Sequence, residues 1–283
     1  MNHAQMEAVA VLQTSSSPHF EGESSIDELL ELVTIRRLED IRSCAINLRN
    51  IAQVRGFRVA LCSNISSQMQ MIDADDVPIN TDVFGWTDDG QRWWEQSDYA
   101  LYSPVPRACR YECEAFWCDA NGFHAVRANP YLDEIEVADH FASHNNRFPM
   151  EIIVPVHLPF GQISANNFPL FSDKIDDFEG AFARYGFLFG LLTRRLISGY
   201  VSVRPDINRI PANCGLSKRD VQCLRWLSAG KTDHEIGELL SLSRSTVRYH
   251  IDRICDKLSA VNRTQAVFKA SQLGYIGPFA RLI

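Results

Sequence analysis

The sequence has no apolar run near the roughly 18 residues that a bilayer-spanning helix needs. Its longest runs, such as FLFGLL at 187–192, stop far short of that. The N-terminus also lacks the basic stretch followed by an apolar core that marks an export leader. Together these absences predict a cytoplasmic protein with no membrane partner. No G-x-S-x-G elbow, no phosphate-cradling glycine loop and no H-E-x-x-H pair occurs, so the common catalytic signatures are missing and no enzyme is expected. The eight cysteines form no C-x2-C pair, which removes the strongest zinc signal and leaves reduced core thiols as the simplest reading. No cofactor is implied.

What is present is a chain of 283 residues, 46% hydrophobic and 10% aromatic, enough for two domains that each have a core. Its charge is unevenly divided. Residues 216–283 hold 11 Lys and Arg against 6 Asp and Glu, whereas the first 215 hold 17 against 29. Only the C-terminal piece suits a polyanion.

That piece is patterned as four helices. Ser217 precedes a run in which Val221, Leu224, Trp226 and Leu227 recur at helical spacing, and Gly230 closes it. Thr232 is a fitting N-cap with Glu235 three residues on, and Ile236, Leu239 and Leu240 make a short apolar stripe ending near Ser241. Ser243 caps a third helix. There Val247, Ile251, Ile254 and Leu258 share one face, while Arg244, Ser245, Arg248, Tyr249, Asp252 and Arg253 take the others. A fourth helix runs from about Arg263 to Leu273 and stops at Gly274. Two helices joined by a short turn, the second with an Arg-rich outer face, are the arrangement that inserts a helix into the major groove. The plainer alternative is a helical cap with solvated arginines.

These residues resemble the DNA-binding domain of the LuxR family of bacterial transcription regulators over 216–274. Leu216, Trp226, Gly230, Glu235, Val247, His250, Ile254, Lys257 and Gly274 are among the positions that match. One departure is mild: Asp220 stands where the family usually has Glu. The resemblance implies that His250 packs or hydrogen-bonds within the helix array, and that the third helix reads double-stranded DNA. Arg248, with Ser245 or Tyr249, would lie nearest the base edges. Lys231, Thr232, Ser243, Arg244, Thr246 and Arg253 would complete the DNA-contacting set, nearer the phosphates. A homodimer, or a heterodimer with a related regulator, would read an inverted repeat.

Before this region, residues 1–24 read as a loose tail, 25–200 as a folded domain, 201–214 as a Pro-containing linker and 215–283 as the helical domain. Helical repeats run from Ile26 to about Val54. Strands are expected at 57–63, 82–86, 111–118, 150–157 and about 161–170. Helices are expected at 88–101, 132–145 and 174–198. That order predicts an α/β sandwich with a mainly antiparallel sheet covered on both faces, joined to an all-α four-helix helix-turn-helix domain.

The outline resembles the autoinducer-binding domain of LuxR-type quorum-sensing receptors. The landmarks are Tyr99 and Pro104 at the right spacing, Trp117 near a family pocket tryptophan, and the stretch 154–164 like the family's sheet hairpin. By that resemblance Trp94, Tyr99, Ser103, Trp117 and Asn167 are the candidate ligand-binding residues. The polar signature has changed, however. Ser103 falls on the family's pocket aspartate, Trp94 on its tyrosine, Gly90 on the lactone-binding tryptophan and Glu151 on the glycine opening the hairpin strand. A carboxylate accepting an amide N–H contributes about 1.5–3 kcal/mol, and a serine hydroxyl about 1. Affinity for an acyl-homoserine lactone should fall unless Trp93 or Asp98 replaces the lost group. The expectation is therefore a DNA-binding regulator whose N-terminal domain senses a small molecule or mediates dimerisation. The alternatives are a ligand-independent regulator or a protein that pairs with another regulator.

Two smaller constellations complete the reading. Cys109, Cys113, Cys118 and His124 could bind metal or sense redox state, with core packing favoured. His140 and His144 are one helical turn apart, but no third ligand is evident. The receiver-domain alternative would need repeated βα units, and Asp73, Asp75 and Asp76 echo only its acidic cluster.

Overall fold

The computed structural model describes residues 25–66, 70–86, 103–138, 148–172, 175–204 and 215–277. Helix α1 (Ile26–Leu32) starts at a capping box in which Ser25 and Glu28 satisfy each other's backbone N–H groups. Helix α2 (Asp40–Gln53) buries Ile41, Cys44, Ala45, Leu48, Ile51 and Ala52 at helical spacing. The expected 26–54 helical region is thus two helices. Strand β1 (Ala60–Cys62) follows, and Phe57 forms a separate bridge to Leu170.

Residues 82–86 were expected as a strand, and the structure corrects this. They leave the short helix α3 (Ile79–Asp82), with Val83 N–H donating to the Ile79 carbonyl. Trp86 Nε1 donates to the Val59 carbonyl, so this apolar stretch is anchored beside the sheet rather than added to it. Residues 88–101 lie outside the described residues. Helix α4 (Pro104–Ala108) comes next.

The strand expected over 111–118 begins only at Phe116. It forms β2 (Phe116–Asp119) and turns through Gly122 into β3 (Gly122–His124), which the sequence reading had missed. Of the helix expected over 132–145, the described part holds the single turn α5 (Pro130–Asp133) and a non-helical stretch over 135–137, while residues 139–147 lie outside the described residues. Strands β4 (Met150–His157) and β5 (Ile163–Pro169) flank a 3-10 turn at Pro159–Gly161, making the expected hairpin. Helix α6 (Phe178–Val203) starts four residues later than expected, where Asp177 caps it. It continues three residues into the span assigned to the linker.

All pairings are antiparallel and the strand order is β1-β5-β4-β2-β3. The sheet is covered on two faces, as expected. Central strand β4 is buried on both sides except at His157. Met150, Ile152, Val154 and Val156 join Phe168, Leu48 and Phe189 in one core beneath α2 and α6. Ile153 joins Phe116, Ala165, Val105 and Ala108 in a second core on the other face. Helix α6 sits close to the α1–α2 loop at Gly199, where a side-chain Cβ would lie 2.9 Å from the Ile35 carbonyl oxygen. The C-terminal helices are α7 (Lys218–Ser228), α8 (Asp233–Leu240), α9 (Arg244–Lys257) and α10 (Arg263–Gln272), within a residue or two of the expected bounds.

Candidate DNA-binding surface and ligand face

Short polar side chains at the helix starts build the C-terminal unit. Ser217 and Asp220 form a capping box on α7, and Thr232 and Glu235 form another on α8. Ser243 accepts the Thr246 N–H at the start of α9, and Asn262 accepts the Gln265 N–H at the start of α10. The turn between α8 and α9 passes through Ser241 in the left-handed region, φ 54°. Leu242 N–H then donates back to the Gly237 carbonyl at 2.8 Å. A Cβ on Gly237 would sit 2.7 Å from the Leu242 oxygen, so only glycine admits so tight an approach.

With the turn fixed, α9 buries Val247, Ile251 and Ile254 against Cys223, Leu224 and Ile236. The opposite face is thereby held outward. Arg244, Ser245, Arg248 and Tyr249 are exposed, and among the described residues neither Arg244 nor Arg248 forms an ion pair. Ser243, Ser245 and Thr246 cluster through hydroxyl contacts of 2.8 Å. Lys231 reaches Glu235 at 3.0 Å across one helical turn.

The Arg253 guanidinium bonds to Asp220 Oδ1 and Ser217 Oγ, contacts the sequence did not suggest. Asp220 has no exposed surface and also meets His250 Nδ1 at 2.9 Å, with Lys257 Nζ at 3.5 Å. Burial would raise the Asp220 carboxyl, but hydrogen bonds from His250, the Ser217 backbone and Arg253 outweigh it and hold the group well below the ordinary carboxylate range. Asp220 therefore links three turns of α9 to the start of α7. Sequence reasoning noted it only as a conservative replacement. The signal that could have found it was its place three residues after Ser217, the acidic position of a capping box. His250 hydrogen-bonds within the helix array, as the resemblance implied.

In the sandwich the proposed ligand residues do not all converge. Trp94 and Tyr99 lie outside the described residues, as do Gly90, Trp93 and Asp98. Ser103 is buried at the start of α4, whose Val105, Ala108 and Cys109 cover the second core. Asn167 lies on that same side of the sheet and donates from Nδ2 to Glu151 Oε2 at 2.9 Å. Trp117 does not join them. It pairs with Ile152 on the α6 side, stacks on His124 at 3.9 Å between ring centroids and abuts Phe178. Strand alternation decides this, because Phe116 and Cys118 take the other face.

The cysteine group is likewise dispersed. Cys62, Cys109 and Cys118 are buried in the second core, Cys113 is exposed before β2, and His124 is bonded to Asp119 at 3.1 Å. Burial pushes the Cys62 thiol up to about 12 and raises Cys109 and Cys118 strongly. His140 and His144 lie outside the described residues. No described helix is long and apolar enough to cross a membrane.

Comparison with known proteins places the C-terminal unit. Residues 215–270 match the family described as "Bacterial regulatory proteins, luxR family". The chain is 45% identical over 64 residues to the transcriptional activator protein VanR of Vibrio anguillarum, covering 23% of this chain and 27% of that protein. It is 31% identical over 119 residues to the regulatory protein SdiA of Escherichia coli, covering 42% and 45% respectively. With the quorum sensing-dependent transcriptional regulator VjbR of Brucella abortus the identity is 43% over 81 residues, 29% of this chain and 30% of that one. The chain thus spans less than half the length of these curated relatives. A solved structure of SdiA in complex with octanoyl-rac-glycerol shares the fold, with a TM-score of 0.52 at 18% identity, covering 87% of this chain and 93% of that one.

Proposed function

We propose, from the premise that residues 215–270 are a DNA-binding domain of the luxR family, that this chain is a sequence-specific transcription regulator controlled through its N-terminal sandwich. The observation that carries the reading is the outward face of α9, where Arg244 and Arg248 stand without ion-pair partners among the described residues over a fully buried apolar face. Such arginines suit guanine edges and phosphates. Arg248, with Ser245 or Tyr249, would read bases, while Arg244, Thr246, Lys231 and Thr232 would steer the helix against the backbone. Arg253 would act indirectly, by holding α9 on Asp220.

The regulator would work as a dimer on an inverted repeat, in the cytoplasm where its DNA resides. Helix α6 offers a pairing face. Phe187 is 71% exposed there, beside a cleft of about 480 Å3 lined in part by Gly186, Gly190 and Ala183. The sensor would be residues 25 to about 203, extended to the end of α6, followed by a linker to residue 214. Its small-molecule site would lie between the sheet and α4, on the Ser103 and Asn167 side. The fold it shares with a protein solved with octanoyl-rac-glycerol supports a ligand with an acyl-like tail.

The test begins with duplexes enriched from a random pool by the full-length chain. Arg248→Ala should lose at least about 30-fold in affinity for the enriched inverted repeat, since each base-reading contact contributes about 1–3 kcal/mol and a dimer uses two. Its folding should be unchanged. Wild-type affinity in that variant, or binding that hardly responds to salt, would sink the reading.

A further inference from the structure

Beside the β3 edge of the sheet lies a cleft of about 630 Å3, within the range of about 300–1,000 Å3 that small ligands occupy. Its walls come from three places: residues 125–129 that follow β3, the turn α5, and the first turns of α6. Trp117 of β2 and Phe182 of α6 line it half-buried, and Leu132 of α5 lines it at only 2% exposure. Asn167, on the α4 side of the sheet, belongs to β5, three strands from β3 or about 14 Å at ordinary strand spacing. The two places are therefore distinct.

Charges of both signs line this cleft. Arg127 follows β3, Asp133 ends α5 and Glu179 lies in the first turn of α6. Among the described residues none of the three forms an ion pair or a side-chain hydrogen bond. His124 differs, because Asp119 holds it at 3.1 Å and its ring stacks on Trp117. The helix dipole accounts for one acid at the start of α6, yet leaves Arg127 and Asp133 unexplained. A lone anion in the cleft would meet Asp133 and Glu179, and a lone cation would meet Arg127. A molecule that carries both charges can satisfy both sets. The Trp117 indole N–H, which has no acceptor among the described residues, adds a donor to the lining. With the apolar rings of Trp117 and Phe182 alongside, the lining matches a small zwitterion that bears an apolar group.

We propose that this cleft is a second ligand site of the N-terminal domain, separate from the one between the sheet and α4, and that it takes an α-amino acid with an apolar side chain. Arg127 receives the carboxylate, Asp133 and Glu179 receive the ammonium, and Trp117 with Phe182 covers the side chain. The cleft shares Val126, Phe182 and Ala183 with its neighbour beside Phe187, so a bound amino acid would border the pairing face of α6.

Three probes of one shape test it by calorimetry on the full-length protein: L-phenylalanine, phenethylamine, which lacks the carboxylate, and hydrocinnamate, which lacks the ammonium. L-phenylalanine should bind at least about fivefold tighter than either, a difference between the worth of an exposed ion pair and that of an enclosed charge-assisted hydrogen bond. Arg127→Gln should bring L-phenylalanine to within about twofold of phenethylamine, whose own affinity should hold. Asp133→Asn combined with Glu179→Gln should bring it to within about twofold of hydrocinnamate. All three positions are exposed, so both variants should keep the wild-type Tm. Equal affinity for the three probes in the wild type would overturn the site, and so would a preference for the zwitterion that survives either variant. Binding of none of the three would overturn it as well.

Discussion

The helix-turn-helix region and the sandwich are held together over different distances along the chain. Between Ser217 and Gln272 the shaping polar contacts are mostly local, with Ser217 to Asp220, Thr232 to Glu235, Ser243 to Thr246 and Asn262 to Gln265 each closing a gap of three residues. In the sandwich they are remote. Asn80 brackets Leu61 by donating to its carbonyl at 2.8 Å and accepting its N–H at 2.9 Å, and Ser164 donates to the Cys62 carbonyl at 2.6 Å across about a hundred residues. Local contacts let a helix assemble from its own sequence, whereas remote ones demand that the sheet be formed first. The helical region keeps its scaffold in short motifs, while the sandwich holds its polar groups on strands, where one substitution changes the chemistry of a face.

The largest effect should come from the sandwich. Phe189 on α6 has no exposed surface, stacks on Phe168 at 4.3 Å and meets Phe57 edge-on at 5.3 Å. Phe189→Ala should cost about 3–5 kcal/mol. If the two regions are separately stabilised, hydrogen exchange should report that loss in residues 25–204 and leave 215–277 protected as before. Equal loss in both would break the comparison, because the helical region would then depend on the sandwich core.

Next is Asp220, a buried point where the helical region relies on remote polar contacts. Asp220→Ala removes a buried carboxylate facing His250 and Arg253, yet Arg253 is one-third exposed and water can take over part of its solvation. The expected cost is about 2–3 kcal/mol, below the about 3–5 of a fully enclosed pair. DNA affinity should fall with it, since α9 loses its tie to α7. The pH dependence has a definite sign. The folded-state carboxyl lies below its ordinary value of 3.8, so its stabilisation is fully present above that value and disappears as pH falls through the lower folded value. Acid melting of wild type and Asp220→Ala should therefore converge below pH 3.8. Curves that stay parallel would show that the carboxylate charge is not what holds α9.

How much of each region could be read from the sequence follows the same division. All four C-terminal helices were legible because caps, apolar stripes and closing glycines are written within one helical turn of the bonds they make. The bond from Arg253 to Asp220 was not legible, because an arginine on a polar face looks alike whether it points to phosphate or to an aspartate 33 residues away. In the sandwich the β4–β5 hairpin was legible, since β4 is a largely apolar run that leads into the turn residues Pro159, Phe160 and Gly161. Residues 82–86 were misread because their apolar side chains answer to tertiary burial beside β1, not to a ladder. The face that Trp117 takes was not legible for a related reason: a strand's period of two fixes faces only once its register is known, and β2 begins later than its apolar residues suggest. Glu151 was noticed as a departure, but its bond to Asn167 depends on the β4–β5 register, which only the folded sheet supplies.

The smallest effect, and the sharpest check on locality, is at the start of α8. Thr232 Oγ1 accepts the Glu235 N–H, and Glu235 in return accepts the Thr232 N–H at 2.8 Å. Thr232→Ala should cost about 1 kcal/mol, the usual loss for an N-cap hydroxyl. The loss should stay within the first turn of α8 and reach α9 only weakly, because Ile236 and Val247 remain packed. The cap's partner gives this prediction its own signature. The Thr232 backbone N–H, then Lys231 and the Thr232 hydroxyl, lower the exposed Glu235 carboxyl to about 2 from an ordinary 4.5. A depressed carboxyl stabilises the fold above its unfolded value and loses that contribution as pH falls through the folded one, here between 4.5 and about 2. Removing the Thr232 hydroxyl should move the Glu235 titration upward, measurable by NMR at the carboxyl carbon, while the Asp220 titration stays where it is. If Thr232→Ala shifted both carboxyls, the caps of α7 and α8 would be coupled, and the helical region would be held by a single network instead of separate local ones.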